Sequence, residues 1–256
     1  MKKIFALKAY NDNYIWVLPA ADSKLAFVVD PGEVEPVKAG LAEAGLQLAG
    51  ILITHHHWDH TNGIEGLLAD NDVPVVGPVD ERLEHISHPV KDGDTVELDG
   101  LPLALRVIEI PGHTTSHIAF VGDGVLFSGD TLFAGGCGRI FEGTPAQMHQ
   151  SLQRLAALPA ETKVYCGHEY TESNLRFALQ VEPDNAALAE RLKLVSEQRA
   201  RDEITLPSTI ADELATNPFL RADQPTVIKS AEQHAGQQLP SPTDVFAAIR
   251  AWKDTA

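Results

Sequence analysis

The segment Gly50-Ile51-Leu52-Ile53-Thr54-His55-His56-His57-Trp58-Asp59-His60 limits this chain more than any other. Its compact apolar run reads as a buried strand, and metal-ligand side chains crowd the loop at the strand's carboxyl end. In extended backbone His55 and His57 project to the same side, so two imidazoles can bind one ion. Asp59 and His60, in the following turn, can serve a second. His56 faces the other way and is expected to pack or support rather than ligate.

A site of this kind needs ligands from elsewhere, and three later segments supply them: Pro111-Gly112-His113-Thr114, Ser128-Gly129-Asp130-Thr131 and Cys166-Gly167-His168-Glu169. Each puts one ligand-type residue beside a glycine just after a β-rich run. Together they complete two coordination shells. His55, His57 and His113 give a three-histidine site, and Asp59, His60 and His168 give a second, with Asp130 able to bridge both ions. Two divalent ions carry +4, Asp59 and Asp130 remove two, and a bridging hydroxide removes one more. The net positive charge that remains can polarise a carbonyl oxygen and stabilise a departing anion. His85, His88, His117, His149 and His234 fall outside this pattern and read as surface or hydrogen-bonding residues. Cys137, in Gly135-Gly136-Cys137-Gly138, has no identifiable base partner, so covalent catalysis is not expected.

The strand-like runs 14–18, 25–29, 50–53, 73–76, 103–110, 117–121, 125–128 and 164–166, with helical stretches over 37–44 and 146–157, predict an α/β (α+β) fold of sheets covered by helices. From residue 173 to 201 the chain is rich in Ala, Leu, Glu, Arg and Gln at helical spacing, broken at Pro183, and a last helix is expected over 243–253. The organisation predicted is a catalytic domain over 1–168 and a helical, substrate-binding one over 169–256.

Composition narrows the partners. A formal charge of -16, from 36 acidic against 20 basic residues, opposes binding to a phosphate backbone, so no nucleic acid is expected. The two cysteines, Cys137 and Cys166, are too few for a disulfide framework. The start, Met1-Lys2-Lys3-Ile4-Phe5, lacks the apolar run of a signal peptide, and no stretch reaches membrane length. A cytoplasmic monomer without a membrane partner is the expectation.

The set His55-His56-His57-Trp58-Asp59-His60, Gly112-His113, Gly129-Asp130-Thr131 and His168 resembles the metallo-β-lactamase superfamily. That resemblance implies a four-layered αββα sandwich with the metals at one edge of its sheets. More specific segments are similar to the hydroxyacylglutathione hydrolases, or glyoxalase II family, over essentially the whole chain. They are 12–16, 131–139, 141–144, 166–171 and 217–221, together with Arg250 and Lys253. On residue type alone, Arg250 and Lys253 fit ligand carboxylates or the end of a helix equally well. The resemblance gives Arg139, Tyr170, Arg250 and Lys253 to the glutathione portion of a substrate. Some relatives have tyrosine where this chain has Phe141, so Phe141 is left out of the polar contacts.

What the resemblance implies is hydrolysis of the thioester of an S-2-hydroxyacylglutathione, typically S-D-lactoylglutathione, to glutathione and D-lactate in methylglyoxal detoxification. A hydroxide bridging two divalent ions would be the nucleophile, with Asp59 and Asp130 the catalytic carboxylates. Zinc is the first choice of metal, with iron or manganese open. The alternative on the same fold is a glutathione persulfide dioxygenase with a single iron.

Overall fold

The computed structural model describes residues 3–98, 100, 101 and 103–256; Met1 and Lys2, of the amino-terminal run considered above, lie outside them. Two compact units result, Met1–Glu109 with Ser116–Gly129, and Ile110–Thr115 with Asp130–Ala256.

The first unit opens with three β-rich runs that pair in sequence order: β1 (Phe5–Ala9), β2 (Asn13–Pro19) and β3 (Leu25–Val29) form an antiparallel meander. Helix α1 (Val34–Ala44) then carries the chain back so that β4 (Gln47–Leu52) lies parallel to β3, the crossover that parallel neighbours require. Gly45 stops α1 in the left-handed region at φ 64°, donating to the Ala42 and Leu41 carbonyls. Two short helices, α2 (Trp58–Thr61) and α3 (Ile64–Leu68), lead to β5 (Val75–Pro78) and β6 (His88–Val90), both parallel additions to the same sheet. The order is β1-β2-β3-β4-β5-β6.

Every residue of β2 is buried, so both faces of this sheet are covered. One cover is visible in the apolar cluster that joins Ile15, Val17, Val28 and Ile51 to Val37 and Leu41 of α1 and Ile64 and Leu67 of α3. Each fully buried side chain of this size contributes roughly 1.5–3 kcal/mol. That cluster fixes the end of β4, from which the histidine loop leaves.

A second sheet begins with β7 (Thr95–Glu97), β8 (Ala104–Glu109), β9 (Ile118–Gly122) and β10 (Val125–Gly129), all antiparallel. In β8 Leu105 and Val107 are buried while Ala104 and Arg106 are exposed, the alternation of a sheet with one inner face.

The second unit starts from a small hairpin, β11 (Leu132–Phe133) with β12 (Gly136–Cys137), followed by α4 (Pro145–Ala156). Thr144 and Gln147 form a capping box that starts α4, with proline at its first position. After β13 (Lys163–Cys166) the chain is mainly helical: α5 (Thr171–Val181), α6 (Ala186–Arg199), then β14 (Ser208–Thr209) paired to β13, α7 (Ile210–Thr216), α8 (Pro225–Ala235) and α9 (Pro242–Lys253). The long helical stretch predicted from composition is α5 and α6, parted at Pro183 as expected. Two further helices, α7 and α8, are set between prolines, which hid their periodicity. Among the described residues no helix is long and apolar enough to cross a membrane.

Candidate metal centre

Four of the predicted ligands lie in the first unit, in the loop after β4 and in α2. His55 Nε2 stands 3.2 Å from His57 Nδ1. Two nitrogens each about 2.05 Å from a tetrahedral ion would be about 3.3 Å apart, so this spacing suits one shared cation. Asp59 Oδ2 lies 3.5 Å from His60 Nε2, again ligand-to-ligand spacing rather than a short ion pair. The expected turn at Asp59 and His60 is the helical turn α2, which turns His60 inward to 1% exposure.

The proton positions on these rings follow from what they touch. Thr54 Oγ1 donates to Asp30 Oδ2 at 2.7 Å, and therefore accepts from His55 Nδ1 at 3.0 Å. His60 Nδ1 lies 3.1 Å from the same carboxylate oxygen, which can only accept. Both rings thus carry their proton on Nδ1 and offer the Nε2 lone pair, the arrangement that fixes and strengthens an imidazole ligand. Asp30, His55 and His60 could themselves make a three-donor group. The Asp30 carboxylate already accepts from the Thr54 amide at 2.8 Å, the Thr54 hydroxyl and His60, so its oxygens are engaged in fixing Thr54 and the His60 ring. Asp30 also sits in left-handed backbone at φ 52°, a costly conformation that clusters at functional sites. Asn13 holds Asp59 in turn, donating to its Oδ2 at 2.9 Å and its carbonyl at 3.3 Å.

The other three predicted ligands are together in the second unit. Asp130 Oδ2 lies 3.2 Å from His168 Nε2 and 3.6 Å from His113 Nε2. His113 Nδ1 donates to the Arg139 carbonyl at 2.7 Å, so this ring too presents Nε2. Gly138 makes that contact possible, because a Cβ there would run into the Asp130 carbonyl and the His113 ring. Tyr170 stacks on His168, with ring centres 4.7 Å apart and planes within 3°.

The cations named from the resemblance also belong to this unit. Arg250 is buried, donating to the Cys137 carbonyl at 2.9 Å and to Asp254 at 3.0 Å. Arg139 is exposed and reaches the same Asp254 carboxylate at 3.3 Å. Lys253 Nζ lies 5.1 Å from the centre of the Phe177 ring, and its burial, then the nearby Arg250 charge, pushes its pKa down to about 8. Burial drives the Cys137 thiol up and that of Cys166 up to about 12, so neither is a thiolate at neutral pH.

The remaining histidines divide. His56 packs edge-on against His57, with ring centres 4.9 Å apart, and its Nδ1 lies 3.5 Å from Asp80, as a supporting residue. His149 bonds Thr243 at 3.0 Å, and His234 stacks on Trp252. His117 takes the hydrogen-bonding alternative rather than the surface one: it is fully buried, with Nδ1 3.0 Å from the Ile118 carbonyl, and stacks on His55 with centres 4.5 Å apart. Sequence reasoning missed Asp30, Thr54 and His117 as parts of the centre. Their only trace was position, Asp30 and Thr54 just after strand runs and His117 just before one.

The metallo-beta-lactamase superfamily model matches residues 12–168, and the model of the hydroxyacylglutathione hydrolase C-terminus matches 169–256. A hydroxyacylglutathione hydrolase of Alkalilimnicola ehrlichii is 59% identical over 99% of both chains, and one of Pseudomonas aeruginosa is 54% identical over the same share. Among solved structures, ETHE1 from Myxococcus xanthus superposes with a TM-score of 0.67 at 26% identity, covering 99% of each chain. The fold is the metallo-β-lactamase fold, mixed α/β with two sheets and a helical carboxyl-terminal region. With histidine and aspartate groups able to hold metal ions and full-length relatives at this identity, the chain belongs to the hydroxyacylglutathione hydrolase family of that superfamily.

Proposed function

We propose that this protein hydrolyses the thioester of S-2-hydroxyacylglutathiones, typically S-D-lactoylglutathione, releasing glutathione and a 2-hydroxy acid in methylglyoxal detoxification. The observation that carries the reading is the fixed tautomer of His55, His60 and His113, each tied at Nδ1 and offering Nε2. Such rings fit divalent ions. His55, His57 and His113 would hold one, Asp59, His60 and His168 the other, and Asp130 would bridge them. When bound, two such ions make hydroxide available at neutral pH and polarise a carbonyl oxygen.

The chain's own residues do the rest. Asp59 and Asp130 balance the charge of the centre, and Asn13 keeps Asp59 in place. Glutathione presents two carboxylates and an ammonium, for which Arg139 and Lys253 supply cations and Tyr170 a hydroxyl in an otherwise acidic chain. Arg250 adds a third cation while holding the Cys137 turn. The reading takes zinc as the metal, the single chain as the acting unit and the cytoplasm as its place. Imidazole and carboxylate donors also accept iron and manganese.

Release of free thiol from S-D-lactoylglutathione, followed together with metal content, tests this. Two ions per chain and turnover are expected. One iron per chain with oxygen uptake and no thioester cleavage would overturn the reading.

A pH profile gives a second check. Lys253 is a cation below about pH 8 and neutral above it. In the free enzyme kcat/KM should therefore bend downward above pH 8, with the loss in KM rather than kcat. In Lys253→Arg the bend should vanish, because arginine stays charged. An unchanged bend in that variant would remove Lys253 from substrate binding.

A further inference from the structure

The hairpin between two of the metal-ligand segments is held by side chains from far along the sequence. Its strands begin two residues after Asp130 and end two residues before Arg139, whose carbonyl fixes the proton of His113. A hairpin this short has little ladder of its own, with only Leu132 paired to Cys137 and Phe133 to Gly136. Its remaining backbone groups need partners elsewhere.

Those partners come from the helices. Glu213 of α7, fully buried, accepts the Gly135 amide at 2.7 Å. Asn217, at the end of α7, donates to the Gly136 carbonyl at 2.9 Å and the Phe133 carbonyl at 3.3 Å, and to Glu213 at 2.9 Å. Asn174 of α5 donates to the Ala134 carbonyl at 3.1 Å, and Arg250 of α9 takes that of Cys137. Arg191 of α6 grips the other Glu213 oxygen at 2.7 Å, which compensates the buried carboxylate. The backbone of residues 133–137 is thus bound at five consecutive positions by side chains of the helical region.

We propose that Glu213 and Asn217 are positioning residues for the metal centre: by fixing this hairpin they set the Arg139 carbonyl on His113 and the backbone that follows Asp130. The inference rests on the two-ion reading above. A carboxylate buried with an arginine and a backbone amide is an expensive device if its task is only to join helices. An apolar contact of the same volume would stabilise the fold as well or better. Its geometry instead serves the precision of one loop, and groups that orient a metal's ligands typically carry 10–100-fold in affinity or activity.

The test uses the zinc-loaded enzyme. Glu213→Gln keeps the size but replaces one acceptor oxygen with a donor facing the Gly135 amide or Arg191. The folded variant should hold zinc about 10–100-fold more weakly against a competing chelator, with kcat reduced and KM nearly unchanged. Asn217→Ala, a smaller lesion, should weaken zinc in the same direction and serves where Glu213→Gln does not fold. A merely structural role would lower the melting temperature yet leave the zinc affinity of the folded protein at the wild-type value. That result, or loss of fold in both variants, would overturn the assignment. Wild-type enzyme that binds other than two zinc ions, or leaves the thioester intact, would fault the underlying reading instead.

Discussion

Asp59→Ala is expected to leave the protein folded, with one metal ion in place of two and turnover lowered by at least about 10²–10³-fold, the scale on which removing one electrostatic stabiliser acts. The residue is partly open, with a side chain 20% exposed, so the fold does not rely on its burial. Its carboxylate lies 3.5 Å from His60 Nε2, the spacing of two candidate ligands, and is held by Asn13, whose amide also reaches the Asp59 carbonyl. Removing the carboxylate takes away a donor and a negative charge at once, and the second cation loses both. Because the lost interaction belongs to the reacting centre rather than to glutathione, kcat should fall with little change in KM. Metal analysis beside steady-state kinetics measures this. Two retained ions with more than a tenth of wild-type kcat would refute the role. Asn13→Ala, which only loosens Asp59, should sit between, near a tenfold loss.

The parts legible in the sequence were those that are contiguous. His55, His57, Asp59 and His60 follow one apolar strand, and their type and spacing mark them as candidate ligands before any fold is known. His113, Asp130 and His168 could be added because each follows a β-rich run that closes on glycine. Several strand and helix positions followed from β-rich runs and helical spacing, and β3 was read to the residue, whereas β1, β6, β7, α7 and α8 were not read. What the sequence did not disclose is the support. Asp30 meets Thr54 across 24 residues and Glu213 meets Gly135 across 78, and neither pairing leaves a local pattern. Asp30 lay inside a stretch that reads only as a turn, Val29-Asp30-Pro31-Gly32, and that reading is correct but incomplete. The same applies to His117, whose stack on His55 depends on β9 and the β4 loop meeting in space.

The second large effect is expected at Asp30, where two substitutions separate two causes. Asp30→Asn keeps the shape and tolerates the left-handed backbone that residue 30 adopts. It loses the charge, and the Asn amide nitrogen cannot accept from the Thr54 hydroxyl or His60 as Oδ2 does, or from the Thr54 amide as Oδ1 does. Hydrogen bonds to a charged acceptor are worth about 1.5–3 kcal/mol each, so stability should fall by at least that much. With His60 no longer held in one tautomer, and Thr54 free to rotate beneath His55, metal affinity and kcat should both drop by about 10–100-fold. Asp30→Ala removes every acceptor, strands the buried Thr54 amide at a cost of about 1–3 kcal/mol, and adds about 1–2 kcal/mol for an alanine in left-handed backbone. It should therefore melt below Asp30→Asn while losing metal to a similar degree, since the imidazoles are released in both. Denaturant unfolding of the metal-free forms measures the stability gap, and chelator competition measures the metal loss. A metal affinity that tracks stability across the pair, rather than falling equally in both, would show that Asp30 acts through the fold and not through the orientation of His55 and His60.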